Sequence, residues 1–330
     1  MRITLVSVLT FVLLAVAGGA AADDRTPRQI IRDPEWQKRF LGSYGFLSGA
    51  EPQVNTIELE LLREVIELMK VDTKAAAMML QGGVDENSSA AVDFILANLH
   101  FQNGNLEPAK STYESALAKF PDFRRAHKNL GLLLVQSEAY SEAAKHLSKA
   151  VELGDRDGRN FGLLGFCHIQ LGNPLAAEQA YRSAILQQPE TRDWQLGLAQ
   201  SLLGMKKYRE AASIADTLIA AKPEDPQIWT LQANAYLGLD EPTAAAVNLE
   251  AVRALGNAQP STLKLLGDIY MNEGMYDLAK DAYLDAIAKD RSATGFQTAY
   301  RAADLLVRSQ SYDEAGEILA SIDERFTDLT

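Results

Sequence analysis

Apolar residues recur along this chain at helical spacing, in short runs separated by polar turns. Residues 161–189 show the pattern most clearly. Phe161, Leu164, Gly165 and His168 lie on a first run and Ala177, Tyr181 and Ala184 on a second. The turn Leu171-Gly172-Asn173-Pro174 stands between them, and Pro189 closes the unit. The template returns every thirty-four residues, with starts at Ala90, Arg124, Gly158, Arg192, Pro226 and Pro260. A seventh start falls near Phe296, after a two-residue slip within residues 290–295. A repeat of this period fixes the whole architecture and so outranks any local reading.

Two columns of the repeat are invariably small. In the middle of the first helix stand Ala97, Gly131, Gly165, Ala199, Ala233, Gly267 and Ala303; early in the second stand Ala109, Ala143, Ala177, Ala211, Ala245, Ala279 and Ala315. Two antiparallel helices joined by a short turn are expected to cross where these columns meet, because a larger side chain would hold the backbones apart. Bulkier residues, such as Leu164 and Leu198 in first helices and Tyr113, Leu147, Tyr181, Leu249 and Tyr283 in second helices, fill the flanking columns and are expected to pack between helix pairs. Pro121, Pro189 and Pro223 end second helices. Gly104, Gly172, Gly204, Gly238 and Gly274 are expected to mark the turns.

This pattern resembles the tetratricopeptide repeat (TPR) family, closely over residues 90–329 and loosely over 56–89. The resemblance implies an all-α fold, a right-handed superhelical solenoid of antiparallel helix pairs. Its seven repeats would occupy residues 90–123, 124–157, 158–191, 192–225, 226–259, 260–293 and 296–329. Asp155, Asn257 and Arg291 replace the closing proline without threatening that fold.

Upstream, residues 1–22 read as a secretory signal peptide: Met1-Arg2 as the positive end, an apolar stretch from Leu5 to Ala17, and Ala20-Ala21-Ala22 as the cleavage site. Residues 23–55 are the least regular part. Asp33-Pro34-Glu35 opens a short helix carrying Trp36, Phe40, Leu41 and Tyr44, expected to cap the stack. Residues 56–89 form a degenerate helix pair. Asn55 and Glu58 make a capping box, Asp72 starts the second helix, and Gly82-Gly83 stops it.

The net charge of −12 and pI near 4.9 exclude the basic face of a nucleic-acid binder. After the signal, no stretch approaches the roughly 20 apolar residues of a membrane span. The single cysteine, Cys167, permits no internal disulfide and sits where a small buried hydrophobe is expected. The four histidines fall on packing columns, His100 and His168 where other repeats hold Tyr236 and Tyr270, and His127 where they hold Phe161 and Trp229. His146 adjoins Leu147, and none has zinc-ligand spacing. Phosphate-binding loops and nucleophile elbows are likewise missing. The expectation is a non-enzyme with no cofactor and no metal.

In TPR arrays the first helices line a concave groove, so the resemblance implies partner-binding positions there: Asn98, Phe101, Lys128, Asn129, Leu132, Arg159, Leu163, Phe166, Gln200, Asn234 and Asp268. Chaperone-tail-binding TPR domains clamp a terminal carboxylate with two asparagines and basic residues. Asn98 and Asn129 match the asparagines and Arg159 one basic position, whereas Phe94 and Leu163 depart from the other two. The expected function is a scaffold or adaptor of the cell envelope, in the bacterial periplasm, binding peptide segments of other proteins. Two alternatives are a structural subunit of a secretion, polysaccharide-export or energy-transduction assembly, and a small-ligand or glycan binder using Trp36, Phe40 and Tyr44.

Overall fold

The computed structural model describes residues 51–325 except Glu86 and Arg291. The expected signal peptide and the helix around Trp36 lie outside the described residues. Within them are sixteen α-helices and no strand. They are α1 (Thr56–Met69), α2 (Thr73–Gly82), α3 (Ala90–Gln102), α4 (Leu106–Lys119), α5 (Arg124–Gln136), α6 (Tyr140–Glu152), α7 (Gly158–Gln170) and α8 (Pro174–Gln187). There follow α9 (Arg192–Gly204), α10 (Tyr208–Ala221), α11 (Pro226–Gly238), α12 (Pro242–Ala254), α13 (Pro260–Asn272), α14 (Tyr276–Lys289), α15 (Ala293–Arg308) and α16 (Tyr312–Arg325).

The chain forms two compact units, one ending at Ser201 and the other starting at Leu202. In the first, α1 to α8 pack consecutively, each on the next; in the second, α10 to α16 do the same. The first core runs from Leu62 through Phe94, Tyr113 and Leu130 to Cys167. The second contains a cluster running from Ala233 through Leu249, Tyr270 and Tyr283 to Ile322.

Local chemistry sets the helix ends. Asn55 and Glu58 form a reciprocal capping box at α1, and the Asp72 carboxylate accepts from Lys74 N and Ala75 N at α2. Proline opens α8, α11, α12 and α13, where its missing N–H would be unsatisfied anyway. α15 starts at Ala293, three residues ahead of Phe296, capped by the Ser292 hydroxyl.

At its glycines the first-helix column makes room for a side chain. A Cβ on Gly165 would stand 2.9 Å from the Tyr181 ring, one on Gly131 2.5 Å from Leu147, and one on Gly267 2.6 Å from Tyr283. The first-helix glycine thus makes room for the bulky second-helix residue of its own pair. Tyr181 also lies against Gly197 of α9, where a Cβ would be 2.2 Å away. One ring therefore ties a pair together and joins it to the next.

The turn assignment also needs correction. The position fourteen residues after each repeat start has positive φ: Gly104 (78°), Glu138 (60°), Gly172 (68°), Lys206 (59°), Asp240 (61°), Gly274 (70°) and Gln310 (62°). Gly204 and Gly238 are instead the last residues of α9 and α11. Gly238 is small because the Tyr208 ring lies 2.4 Å from where its Cβ would be.

Ala177 is fully buried and Gln179 exposed. Ala177→Leu should destabilise by about 1–3 kcal/mol through overpacking, whereas Gln179→Leu should stay within roughly 0.5 kcal/mol. Thermal melts of the two variants check this; equal melting temperatures would refute the column assignment.

Candidate functional site

The structure sorts the groove positions by accessibility. In the unit ending at Ser201, Asn98 and Phe101 on α3, Asn129 and Leu132 on α5, and Leu163 on α7 are buried. Lys128, Arg159 and Phe166 are half-buried and Gln200 is exposed. In the other unit Asn234 is exposed and Asp268 half-buried. Phe101 and Leu132, expected as groove positions that meet a partner, are instead core residues, 3 % and 0 % exposed. The reason is that α3 is enclosed on all sides, every residue from Ala90 to Phe101 being buried, while α5 sends Leu132 into the same core.

Part of the polar column is tied to the packing. The Tyr113 hydroxyl donates to Asn98 Oδ1, and the Tyr283 hydroxyl donates to Asp268 Oδ1 at 2.7 Å. Asn98 and Asp268 hold the same template position, and so do the two tyrosines. A buried phenol needs an acceptor; where the second-helix residue is Leu147, the acceptor position is Leu132. Burial, then the hydrogen bond to Asp268, pushes the Tyr283 hydroxyl pKa upward.

Asn129 Nδ2 also donates to Asn98 Oδ1, at 2.9 Å. This leaves Asn98 Nδ2, a donor, and Asn129 Oδ1, an acceptor, buried with no hydrogen-bond partner among the described residues. The two asparagines singled out from sequence are thus brought together, on adjacent first helices.

The basic residues are already engaged. Lys128 Nζ lies 2.7 Å from Asp157 Oδ2, while Arg159 Nε donates to Oδ1 at 3.0 Å and Nη2 to Oδ2 at 2.7 Å. Asp157 also caps α7, accepting from Arg159 N. Burial pushes the Asp157 carboxyl up, but the Arg159 hydrogen bond and the Lys128 charge outweigh it and hold the pKa at about 2. Two cations thus share one internal carboxylate.

One pairing was not visible in the spacing. His127 Nδ1 and His146 Nδ1 lie 2.9 Å apart across the α5–α6 pair, nineteen residues apart in sequence. His127 Nε2 is 2.9 Å from the Pro121 carbonyl, which only accepts, so Nε2 carries a hydrogen. In the neutral pair His127 Nδ1 is therefore the acceptor and His146 Nδ1–H the donor. Among the described residues, no group of three or more His, Cys, Asp or Glu could hold a metal ion. No helix among them is long and apolar enough to cross a membrane. Burial pushes the Cys167 thiol up to about 12, which leaves it unreactive.

Models of the tetratricopeptide repeat match residues 95–158, 168–235 and 263–291. The chain contains TPR repeats. Among solved structures, YrrB, described as a TPR protein with an unusual peptide-binding site, is 22 % identical and superposes with a TM-score of 0.51, covering 54 % of this chain and 93 % of that one. The C-terminal part of a TPR repeat-containing protein from Cytophaga hutchinsonii, 16 % identical, gives 0.57 and covers 70 % and 95 %. These likenesses concern the fold. The Tetratricopeptide repeat protein 30 homolog of Aedes aegypti is 27 % identical over 195 residues, spanning 58 % of this chain and 28 % of that protein. Cellulose synthase operon protein C of Pseudomonas fluorescens is 33 % identical over 112 residues, 34 % of this chain and 9 % of that protein. The chain thus spans well under a third of either relative.

The TPR helix pair α5–α6 should respond to pH through its histidines. Burial, then the His127 charge, lowers the His146 pKa to about 4, and burial lowers that of His127. A lowered histidine pKa means the unfolded chain binds more protons, so stability rises with pH. The contribution is complete above the unfolded value near 6.5 and drains away as pH falls toward about 4. The melting temperature should decline over that window, and His146→Gln should flatten the decline. Parallel profiles for wild type and variant would count against the pairing.

Proposed function

We propose that this chain is a non-enzymatic scaffold of the cell envelope, exported to the bacterial periplasm, that takes peptide segments of partner proteins along the first helices of its repeats. TPR proteins in general act as protein–protein interaction scaffolds, and their fold is typically non-catalytic. The observation that carries the reading is the orphaned amide pair: Asn98 Nδ2 and Asn129 Oδ1 leave one donor and one acceptor unused, in side chains 1 % exposed that a partner reaches only when the surrounding packing opens. A peptide backbone supplies the matching carbonyl and N–H. A buried polar atom without a partner is costly, and in a dry site each hydrogen bond it gains is stronger.

Arg159 supports the same reading. Asp157 uses its Nε and Nη2, and Nη1 has no hydrogen bond among the described residues. It remains a donor for a partner carboxylate. Gln200 and Asn234, at the template position of the buried Asn98, are exposed amides that a partner can reach directly. The envelope location rests on the signal-like pattern of residues 1–22.

A second reading is a subunit of a polysaccharide-related envelope assembly, favoured by the likeness to Cellulose synthase operon protein C. Co-purification from envelope extract separates the two readings. Fast-exchanging peptide segments favour the adaptor, and a stoichiometric complex favours the subunit.

A peptide array probed with the full chain, followed by anisotropy titration of the best-bound peptide, tests the groove. Asn98→Ala combined with Asn129→Ala should weaken binding about 10-fold or more, with helicity by circular dichroism unchanged. Arg159→Ala should weaken only peptides bearing a nearby carboxylate. Unchanged affinity in the double variant would overturn the assignment.

A further inference from the structure

The repeat register contains one space that is filled in one helix pair and left open in another. Beside α7–α8 it is filled by Trp194, which reaches back from α9 and lies over Gly162 with no room for a Cβ between them. Trp194 is 9 % exposed. Its Nε1–H points at Gln188 Oε1, 3.4 Å away, and the Gln188 side chain in turn covers Gly158.

Beside α13–α14 the same register positions border a cavity of about 410 Å³. Lys264 stands where Gly162 does, Pro260 where Gly158 does, and Ala286 where Ala184 does. Asp290 replaces Gln188 and Thr298 replaces Trp194. All five line the cavity. Thr298 is too short to cross it, and its hydroxyl donates to Thr294 O on its own helix at 3.0 Å. The Lys264 ammonium is engaged by Asp268, 3.3 Å away and four residues further along α13. The early start of α15 adds Thr294 and Gly295 to the wall.

We infer that this cavity receives the tryptophan side chain of a partner segment, seated as Trp194 is seated within the chain. The inference rests on the reading of the protein as a peptide-binding scaffold and adds the chemistry of the partner. The volume falls within the roughly 300–1,000 Å³ of ligand pockets. An indole needs an apolar wall and one acceptor for its N–H. Pro260 and Ala286 supply the wall. Asp290 supplies the acceptor; its Oδ1 takes the Ser292 N–H at 2.9 Å, and a carboxylate has capacity for further donors. A charged acceptor also binds an N–H more strongly than the amide of Gln188 does. Phenylalanine would bring Asp290 no donor, and an anionic group would be repelled by it, so the site selects a ring that carries an N–H.

Fluorine NMR of the full chain titrated with 5-fluoroindole tests the seat. The probe should bind saturably, and unlabelled indole should displace it about 10-fold or more effectively than 1-methylindole, which has no N–H to give Asp290. Thr298→Trp should supply its own ring, raise the melting temperature and abolish probe binding. If that variant loses helicity, the two indoles compared on the wild type decide alone. No saturable binding, binding that survives Thr298→Trp, or equal displacement by both indoles would overturn the inference. Peptides test the source of the ring: tryptophan-bearing segments should bind about 10-fold or more tightly than the same segments with alanine there, and Thr298→Trp should erase that margin. Free indole binding without such a margin would overturn the assignment to a partner segment. Asn98→Ala combined with Asn129→Ala should leave probe binding unchanged, so failure of the groove and failure of this seat read differently.

Discussion

The stack depends on one recurrent contact, a bulky side chain of a second helix seated on a small residue of the first. At Gly131, Gly165 and Gly267 the seat is a bare backbone, occupied by Leu147, Tyr181 and Tyr283. A glycine inside a helix costs about 1 kcal/mol of helix propensity. Burying a large side chain against it contributes about 1.5–3 kcal/mol, so the exchange is favourable wherever the seat is filled. Tyr181 shows why the contact propagates, for the same ring also occupies Gly197 on the next first helix. Stability in such a chain is approximately a sum over pairs and their interfaces, and this contact belongs to both terms.

The tyrosines bring a second constraint. The hydroxyls of Tyr113 and Tyr283 enter an apolar interior and find acceptors in Asn98 and Asp268. Polarity on the first helices is therefore partly architectural. Asn98 stands out because it serves twice, accepting from Tyr113 and from Asn129 while its own amide hydrogens stay unpaired. Two packing contacts meet at that residue, whereas Gln200 and Asn234 carry no such packing role, standing opposite Ala215 and Leu249 in the register.

The helices and their order were readable because period and small columns are properties of the chain itself. The helices beginning at Ala90, Arg124, Gly158, Arg192, Pro226 and Pro260 start where the template starts. What escaped was tertiary. Burial of Phe101 and Leu132 depends on what surrounds α3 and α5, which their own spacing does not encode. The His127–His146 contact crosses a helix pair and leaves no trace at i, i+4. Lys128 and Arg159 converge on Asp157 from positions twenty-nine and two residues away, a meeting that exists only in three dimensions. Gly204 and Gly238 looked like turn glycines because glycine serves both tight turns and close packing, and only coordinates tell the two uses apart.

The left-handed turn residues bear on how such arrays drift in sequence. Glu138, Lys206, Asp240 and Gln310 adopt a backbone conformation that glycine takes without steric cost and that costs other residues about 1 kcal/mol or more. Neighbouring turns hold glycine in the same geometry at Gly104, Gly172 and Gly274. The bend is thus dictated by the two helices docking on each other, and the residue at the bend merely complies. Substitutions can accumulate there without altering the path of the chain, so a family resemblance is the first thing to fade at these loops and the last to fade at the seats beneath the tyrosines.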